Sequence, residues 1–491
     1  MSTITSVKLH STVKDMNPRG GASVQEAQDI LMVFGGADRE QQHYHDSGAY
    51  RSTQNSAVFG SSKTDGDIPT ERCGHFTAAY GKYIFLFGGI DFSEECVFND
   101  LYLFDTESNL WSYVGETGKE ISARNSHSLA IVKGEKSNFL VIFGGASPEH
   151  GTFRDTYFAE LPDAESIDPK TFFVCWQELN TNDEPESREM HSTCSVDGRM
   201  YISGGRNANG EVLSDVWMLT CRSNIDIVET TTIDTTNIST LEADPIPGTS
   251  AEFLPPPANQ PILKNDKKSE ALIYELTSSH SPEDTDNTRI TINPIDCDYA
   301  PSKAISHHED IPLPQPPSRP ISTPIDVSIP LSSPMKSPLQ WQRCREMELD
   351  IPRCAHGSAV LATSPNPSNP SIEYYMILFG GFSGEGVSSD FSLYKLPLWP
   401  TSPSSDSMWT HPSSSNGPRG RFGLAMNSIS AKMVNSLQQN KRYGPVFSPS
   451  ARQCAESWAS IIEPQSHAGV LIYGGVSIEQ DFGDLWLLML S

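Results

Sequence analysis

The chain has 491 residues, of which 37% are hydrophobic and 20% charged, so it is long enough to bury one large core or several small ones. It carries 61 Asp and Glu against 35 Lys and Arg, a net charge of -26 at pH 7. This charge excludes a broad surface for nucleic acid or for anionic membranes, because both need clustered positive charge. Partners with a basic surface fit it better.

The cysteines and the apolar segments bear on the compartment. Nine cysteines are scattered without any C-x-x-C pair, which indicates neither a disulfide framework nor a zinc site. The chain does not open with an apolar stretch of signal length, and no run of about 18 apolar residues occurs in it. We therefore expect a soluble cytoplasmic protein without membrane insertion, with the nucleus as an alternative location.

The clearest pattern along the chain is an apolar run that ends in a pair of glycines. Each run predicts a buried strand stopped by residues that tolerate a positive φ. An acidic residue opens a second apolar strand nine to eleven positions after five of these pairs, and Asp46 stands at the matching distance after the first. The six runs end at Gly36, Gly89, Gly145, Gly205, Gly381 and Gly475, and the five acids are Asp100, Asp155, Asp215, Asp390 and Asp484.

Upstream of the glycines, four repeats contain an Arg-x-x-His motif. These are Arg72 with His75, Arg124 with His127, Arg188 with His191, and Arg353 with His356. We assign Arg19 and Arg419 to the arginine position of the first and last repeats, with Ala22 and Phe422 in place of the histidine. Because a catalytic residue is rarely needed six times, the repetition favours a structural hydrogen-bonding role. Trp111, Trp176, Trp341 and Trp409 are each expected to lie in an outer strand and to pack between blades.

Together these motifs resemble the kelch repeat, in which Arg-x-x-His, a Gly-Gly strand, an acid, an apolar strand and a Trp follow one another. The resemblance covers about residues 1 to 221 and 341 to 491. It implies an all-β fold, a β-propeller of six four-stranded blades. The last repeat stops at its third strand, whereas residues 3–10 alternate like a strand. We therefore expect the N-terminal strand to close the last blade.

Residues 222–340 interrupt the repeats. They hold 18 of the 36 prolines and 17 acids against 8 bases, a composition that predicts a long disordered insertion. A third strand precedes the segment and a candidate fourth strand (339–343) follows it, so we place the insertion inside blade 4, between propeller segments 1–221 and 341–491. A second insertion, rich in Ser, Pro and Asn, separates the first two strands of the last blade at about 427–465.

The loops after the glycine pairs contain the candidate binding residues. Basic residues are few there, namely Arg39, Arg154 and Arg206. Like charge gathered on the loops of a rigid scaffold predicts a face that binds a basic protein surface, and the alternative is a set of solvated acids on an acidic chain. The candidates are Asp38, Glu40, Asp91, Glu94, Glu95, Glu149, Glu211, Glu385, Glu479 and Asp481.

The 222–340 insertion carries short motifs of its own. Pro314, Pro317 and Arg319 have the P-x-x-P-x-R form that binds SH3-type domains as a polyproline helix. Ser281, Thr323, Ser333 and Ser337 each precede a proline, which is typical of sites for proline-directed kinases. Both patterns also arise by chance in any Ser/Pro-rich loop, and this alternative stays open.

No residue pattern in the chain predicts catalysis. His43, His45 and Asp46 can bind metal but are too few for a site, so we predict neither metal nor cofactor. Some kelch propellers are enzymes with a site in the central channel, which leaves an enzyme with a channel-centred metal or small molecule as the alternative. Our main prediction is a protein-interaction scaffold or adaptor without a BTB or F-box segment. The resemblance to compact kelch proteins implies an adaptor in trafficking, the cytoskeleton or small-GTPase signalling.

Overall fold

The computed structural model describes residues 3–10, 17–40, 42–44, 47–52, 60–181, 183–222, 337–363, 372–396, 408–412, 417–459 and 467–490. The predicted disorder of 222–340 falls almost wholly outside these residues, as do Pro314, Pro317, Arg319, Ser281, Thr323 and Ser333. Ser337 is half-buried. No helix in the described ranges is long and apolar enough to cross a bilayer. None of the eight cysteines among these residues forms a disulfide bond.

The strands of the first three repeats form three blades, whose neighbouring strands are antiparallel except at the outer edges of blades 2 and 3. The first strand of the chain is β1 (Ile4–His10). Blade 1 consists of β2 (Ser23–Ala27), β3 (Ile30–Phe34), β4 (Ser47–Arg51) and β5 (Gly60–Ser62). Blade 2 consists of β6 (Asp65–Gly66), β7 (Phe76–Tyr80), β8 (Tyr83–Phe87), β11 (Leu101–Asp105) and β12 (Leu110–Tyr113), with β9 (Ile90–Asp91) and β10 (Cys96–Val97) as a hairpin in its loop. Blade 3 consists of β13 (Gly115–Gly118), β14 (Ser128–Lys133), β15 (Asn138–Phe143), β18 (Thr156–Leu161) and β19 (Phe173–Glu178), with the loop hairpin β16 (Ala146–Ser147) and β17 (Gly151–Thr152).

The last three repeats form three further blades. Blade 4 consists of β20 (Ser192–Val196), β21 (Arg199–Ser203), β22 (Val216–Cys221) and β23 (Leu339–Arg343). Blade 5 consists of β24 (Gly357–Ala362), β25 (Tyr374–Phe379) and β26 (Phe391–Lys395), and a bridge from Leu393 to Thr410 marks a fourth position. Blade 6 consists of β27 (Ala425–Ile429), β28 (Gly469–Tyr473), β29 (Leu485–Leu490) and β1, with helices α1 (Ala431–Gln439) and α2 (Pro449–Ala459) between β27 and β28. Single 3-10 turns lie at Ala164–Ser166, Arg345–Met347 and Gly444–Val446.

The first strands of the six blades surround a central channel. Strand β2 neighbours β7, then β14, β20, β24 and β27 follow in order, and β27 returns to β2. This closed cycle confirms the predicted six-bladed propeller. The second strands, such as β8 and β15, are almost fully buried because they lie between two neighbouring blades.

The N-terminal strand closes the ring as predicted. Strand β1 pairs antiparallel with β29 from Ile4 opposite Leu490 to Lys8 opposite Trp486, and the register shifts between Lys8 and His10. Its alternation places Ile4 in the apolar cluster shared with blade 5 and Val7 in the cluster shared with blade 1. The strand thus joins the two ends of the chain and covers the outer edge of β29.

A tryptophan from an outer strand fills each of three seams between blades. The ring of Trp111 lies 5.3 Å from that of Phe34 at the seam between blades 1 and 2. Trp176 lies 6.3 Å from Phe87 at the next seam. Trp341 lies 5.1 Å from Phe143 at the third. These rings therefore wedge each blade against the one before it, as the sequence predicts.

The two helices fill the seam between blades 6 and 1. On α1 the buried residues Met433, Val434 and Leu437 recur at helical spacing, and on α2 Cys454 and Trp458 do the same. The Ser430 side chain accepts a hydrogen bond from the amide of Met433 and so begins α1. All five side chains belong to one apolar cluster with residues of blades 6 and 1. The second insertion, expected from its composition to be only a Ser/Pro/Asn-rich loop, therefore contributes to the core.

Candidate functional site

The motif arginines hold the turns at the glycine-pair end of the blades. In blade 4, Arg188 is fully buried and its Nη1 lies 2.6 Å from Oδ1 of Asp215 and 3.0 Å from the carbonyl oxygen of Gly204. Burial alone would raise the pKa of Asp215, but the hydrogen bonds and charge of Arg188 outweigh burial and leave that pKa below its usual value. Blades 2, 3 and 6 repeat this ion pair with Arg72 and Asp100, Arg124 and Asp155, and Arg421 and Asp484.

Two repeats depart from the sequence assignment. In blade 6 the buried motif arginine is Arg421, not Arg419, and Leu424 occupies the histidine position rather than Phe422. Arg419 is exposed, and its carbonyl oxygen accepts a hydrogen bond from Nε of Arg421. In blade 5, Arg353 reaches the hydroxyl of Ser392 at 3.5 Å, and no carboxylate of the described residues lies within ion-pair distance of it. Asp46 falls outside the described residues.

The motif histidines connect neighbouring blades. Nε2 of His75 lies 2.9 Å from the hydroxyl of Ser23 in blade 1, and Nε2 of His191 lies 3.0 Å from that of Ser128 in blade 3. Burial, with the charge of the adjacent motif arginine, lowers the pKa of both histidines to about 3. They are therefore neutral at physiological pH, and they act as structural links between blades.

A closed ring of backbone hydrogen bonds surrounds the channel at the glycine-pair end. It uses the third residue of each Arg-x-x-His segment, and each amide donates to the carbonyl oxygen of the equivalent residue in the neighbouring blade at 2.8 to 3.0 Å. All six residues have a φ between 50° and 70°. The members are Gly21, Gly74, Ser126, Met190, Ala355 and Gly423. The residue before each ring member hydrogen-bonds to the residue after the glycine pair of its blade, so the ring also holds the bases of the six loops that carry the candidate acids.

The candidate acids fall into two groups. Seven are exposed, namely Glu40, Glu94, Glu95, Glu149, Glu211, Glu385 and Glu479. Three are half-buried and hold their own loops. Asp38 accepts hydrogen bonds from the amide of Glu40 and the hydroxyl of Tyr44, Asp91 accepts from the amide and hydroxyl of Ser93, and Asp481 pairs with Arg39 at 3.1 Å. All ten follow a glycine pair, so they lie at the same end of the blades.

The three basic residues of these loops are already paired. Arg39 bonds Asp481 across the seam between blades 1 and 6, Arg154 lies 2.6 Å from Glu184, and Arg206 bonds Glu189. The exposed carboxylates of this face therefore have no neighbouring cation of their own among those loops. We call the ten candidate acids the acidic face.

One cluster on this face has the residue types of a catalytic triad. Sγ of Cys73 lies 3.6 Å from Nε2 of His43, and Nδ1 of His43 lies 3.2 Å from Oδ1 of Asp91. Burial raises the pKa of Cys73 to about 12, so its thiol stays protonated and unreactive at physiological pH. The amide of Phe92 also donates to Nε2 of His43. The cluster therefore packs two loops together and lacks a competent nucleophile.

The channel forms a cavity of about 980 Å³, lined largely by the first strands. Burial raises the pKa of Glu26 there to about 7, although it accepts hydrogen bonds from the amide and hydroxyl of Ser430 at 2.6 and 2.5 Å. The sequence does not mark Glu26, since a single Glu in a strand carries no motif. Within the described ranges, no group of three His, Cys, Asp or Glu residues is arranged to hold a metal ion, and His45 lies outside those ranges.

Comparison with known proteins agrees with this architecture. The profile of the KLHDC2/KLHL20/DRC7 kelch-repeats domain matches residues 2–137, and that of the kelch motif matches residues 187–225. Kelch domain-containing protein 3 of Rattus norvegicus is 27% identical over 201 residues, which cover 40% of this chain and 50% of that protein. The chain thus aligns with about half the length of this relative.

Two other relatives differ in their described roles. An F-box/kelch-repeat protein of Arabidopsis thaliana is 29% identical over 210 residues, covering 41% of this chain and 42% of that protein. The N-(sulfonatooxy)prop-2-enimidothioate sulfolyase of Thlaspi arvense is 30% identical over 148 residues, covering 30% of this chain and 38% of the enzyme. The motifs, the blade geometry and these matches agree: the chain carries kelch repeats, and its six repeats form a closed β-propeller.

Proposed function

We propose that the chain is a protein-interaction scaffold or adaptor whose acidic face binds a basic surface of a partner protein. Kelch propellers in general mediate protein–protein interactions. The observation that carries the proposal is the imbalance of charge at the glycine-pair end, where seven candidate carboxylates are exposed while Arg39, Arg154 and Arg206 are already paired with other acids.

The geometry of the acidic face supports this interaction as well as its charge. The loop bases are fixed by the hydrogen-bonded ring, and Asp38, Asp91 and Asp481 hold the loops from within. The remaining carboxylates, such as Glu149 with its side chain 85% exposed, keep their positions relative to one another. A fixed array of like charge steers an oppositely charged partner and speeds its encounter, and salt weakens this effect.

The cellular setting remains part of the proposal. We place the protein in the cytoplasm as an adaptor in trafficking, cytoskeletal or small-GTPase signalling, on the resemblance to compact kelch proteins. The 222–340 segment would add an SH3-type ligand at Pro314, Pro317 and Arg319 and sites for a proline-directed kinase. Replacing 222–340 by a short Gly/Ser linker separates these motifs from the acidic face.

The test compares two charge-neutralised variants of the full chain by affinity capture from native lysate at low and moderate salt. The first variant changes the acidic face through Glu94→Gln, Glu95→Gln, Glu149→Gln and Glu385→Gln. The control removes four exposed carboxylates elsewhere, through Glu135→Gln, Asp163→Asn, Glu165→Gln and Glu456→Gln. We expect captured partners to fall about tenfold with the first variant at low salt and to be retained by the control. Equal capture by both variants would refute the proposal.

The channel cavity supports one other candidate function, an enzyme or carrier of a small molecule. Glu26, with its pKa near 7, is a carboxyl that exchanges a proton at physiological pH, and one relative carries an enzyme's name. Native mass spectrometry and elemental analysis of the purified protein would detect a resident molecule or metal. A bound species that is lost on Glu26→Gln would favour this function over the scaffold.

A further inference from the structure

A groove of about 720 Å³ runs along the outer edge of blade 6, away from the channel. One wall is the closing strand with Lys8, and another is the bend between α1 and α2 with Val446 and Ser448. Arg419, the arginine that the motif does not use, and Trp486 also line it. We call this feature the edge groove.

The edge groove has two cations, Lys8 and Arg419, beside two carboxylates that other arginines already neutralise. Its two carboxylates are engaged, since Asp484 pairs with Arg421 and Asp481 pairs with Arg39. Arg419 is exposed and makes no ion pair with any described residue. The side chain of Lys8 is 44% exposed, 3.7 Å from the already paired Asp484.

The helical bend beside the groove is also basic. Residues 430–459 contain four basic side chains against one acid, Glu456, in a chain with a net charge of -26. Arg452 lies over the bend, where its Nη2 donates to the carbonyl oxygen of Gly444 and its Nε donates to that of Phe447. These two bonds hold its guanidinium against residues 444–447, and Arg452 is itself exposed.

An exposed aliphatic side chain, that of Val446, lines the same groove as Lys8 and Arg419. Val446 is 49% exposed and follows the exposed Pro445, whereas the neighbouring Phe447 is buried in the core. Because the bend is anchored through Phe447 and Tyr443, Val446 is presented on a rigid support. Fixed cations around an exposed aliphatic residue match a peptide that carries carboxylates on either side of an apolar side chain.

We infer that the edge groove binds an acidic segment of a partner protein, whose carboxylates pair with Arg419, Lys8 and Arg452 and whose apolar side chain packs on Val446. Nucleic acid fits less well, because its dense negative charge is repelled by the rest of this acidic chain. The site is distinct from the acidic face, which selects the opposite charge. One scaffold could therefore hold two partners of opposite charge at once.

The experiment uses the full chain and a fluorescein-labelled peptide of repeating Glu-Glu-Leu as the probe, followed by anisotropy at low salt. Arg419→Glu should weaken binding about tenfold, because it replaces an attraction by a repulsion. Val446→Ser should weaken it about threefold through loss of apolar contact. The matched control is Lys136→Glu, which reverses an exposed charge in the turn between β14 and β15 and should leave binding within about twofold.

Several results would overturn the inference. They are no binding of the probe by the unaltered chain, an equal loss with Lys136→Glu, or a single-stranded oligonucleotide that displaces the peptide more readily than unlabelled peptide does. A peptide of repeating Lys-Lys-Leu tests the separation from the acidic face, and its binding should not fall with Arg419→Glu. Because only the carbonyl of Arg419 is used inside the fold, this variant should unfold at the same temperature as the unaltered chain.

Discussion

Two seams of the propeller, between blades 2 and 3 and between blades 6 and 1, have the same backbone hydrogen bonds near the channel. They differ at the perimeter in the side chains that fill them. Near the channel, the amide of Gly89 donates to the carbonyl oxygen of Arg124 at 2.9 Å, and Gly475 donates to Arg19 at the same distance. At the perimeter, Trp176 fills the first seam from an outer strand, whereas α1 and α2 fill the second.

The difference shows which part of the propeller the repeat specifies. The arginine, the glycine pair and the hydrogen-bonded ring act near the channel, where blades approach closely and backbone geometry leaves little freedom. Blades diverge toward the perimeter, and there any large apolar group of suitable volume can fill the wedge. Blade 1 has only the short β5 as its outer strand, so the seam that it shares with blade 6 is filled by Trp458 and Tyr443 instead.

Removal of residues 1–12 should cause the largest loss of stability, since it takes the closing strand out of blade 6 and disrupts the seam between blades 6 and 1. The deletion exposes the edge of β29 and removes the buried residues Ile4, Val7 and Leu9 from two clusters. We expect a loss of more than about 5 kcal/mol in the free energy of unfolding, measured by urea denaturation. A synthetic peptide of residues 1–12 should restore part of it in trans. Unchanged unfolding after the deletion would contradict the closing role of β1.

Trp458→Ala tests whether the helical wedge is equivalent to the strand tryptophans. Trp458 is 1% exposed inside the cluster of the blade 6 and blade 1 seam, as Trp176 is 2% exposed in its own. Each substitution by Ala should lower stability by about 3 to 5 kcal/mol, through loss of transfer energy and creation of a cavity. Chemical denaturation of both variants gives the comparison. A loss of stability with Trp458→Ala far below that with Trp176→Ala would show that the helices do not stabilise the seam between blades 6 and 1.

The sequence predicts the arrangement of the seams near the channel. It does not predict how the seam between blades 6 and 1 is filled at the perimeter. Gly-Gly and Arg-x-x-His are fixed spacings that follow from backbone geometry, so they locate each blade without knowledge of the packing. Arg419 and Arg421 both fit the arginine position when Leu424 replaces the histidine, and only the buried ion pair with Asp484 decides between them. The apolar stripe of α1 and α2 lies in a segment whose Ser, Pro and Asn content indicates a loop.

For the acidic face, the sequence predicts the sign of the charge and the loops that carry it, but not the contacts of each carboxylate. The loops of the acidic face could be assigned to one end of the blades from the glycine pairs alone. Which carboxylates hold their own loops and which are free depends on contacts such as that of Asp481 with Arg39, 442 residues apart in the chain. The edge groove has no linear signature at all, because Lys8, Arg419 and Val446 meet only after the ring closes.

Glu26→Gln tests through the pH dependence of stability whether α1 is tied to blade 1, since Glu26 links blade 1 to the N-terminus of α1. Burial raises its pKa from 4.5 to about 7, so the folded chain binds the proton more tightly than the unfolded chain. Stability from this group is therefore full below pH 4.5 and lost as the pH rises through 7, by about 3 kcal/mol in total. The unaltered chain should therefore exceed Glu26→Gln in stability by more at pH 5 than at pH 8, measured by denaturation at both values. The buried histidines, such as His75 and His191, act in the opposite sense but are common to both proteins and cancel in this difference.

The pH experiment has an internal reference at another seam. Burial also raises the pKa of Glu116 to about 7, and its carboxylate accepts a hydrogen bond from Nε1 of Trp176 at 2.6 Å. Relative to the unaltered chain, each single substitution by Gln should thus lower stability more at pH 5 than at pH 8 by a similar amount, and the double variant should show the sum of the two effects. An unaltered slope in Glu26→Gln would mean that this carboxyl is solvated in solution and does not tie α1 to blade 1.

The smallest expected change in stability comes from substitutions in the ring of backbone hydrogen bonds around the channel. There all six seams have the same backbone geometry. Ala355 has a φ of 52° and Gly423 a φ of 60° at equivalent positions in neighbouring blades, and a Cβ added to Gly423 would meet no atom closer than 3.8 Å. Only the left-handed backbone therefore distinguishes the two. Ala355→Gly should stabilise the chain by up to about 1 kcal/mol and Gly423→Ala should destabilise it by about as much, measured as opposite shifts in Tm. Shifts of the same sign would show that the two seams differ near the channel as well, and the contrast between inner and outer edges would no longer hold.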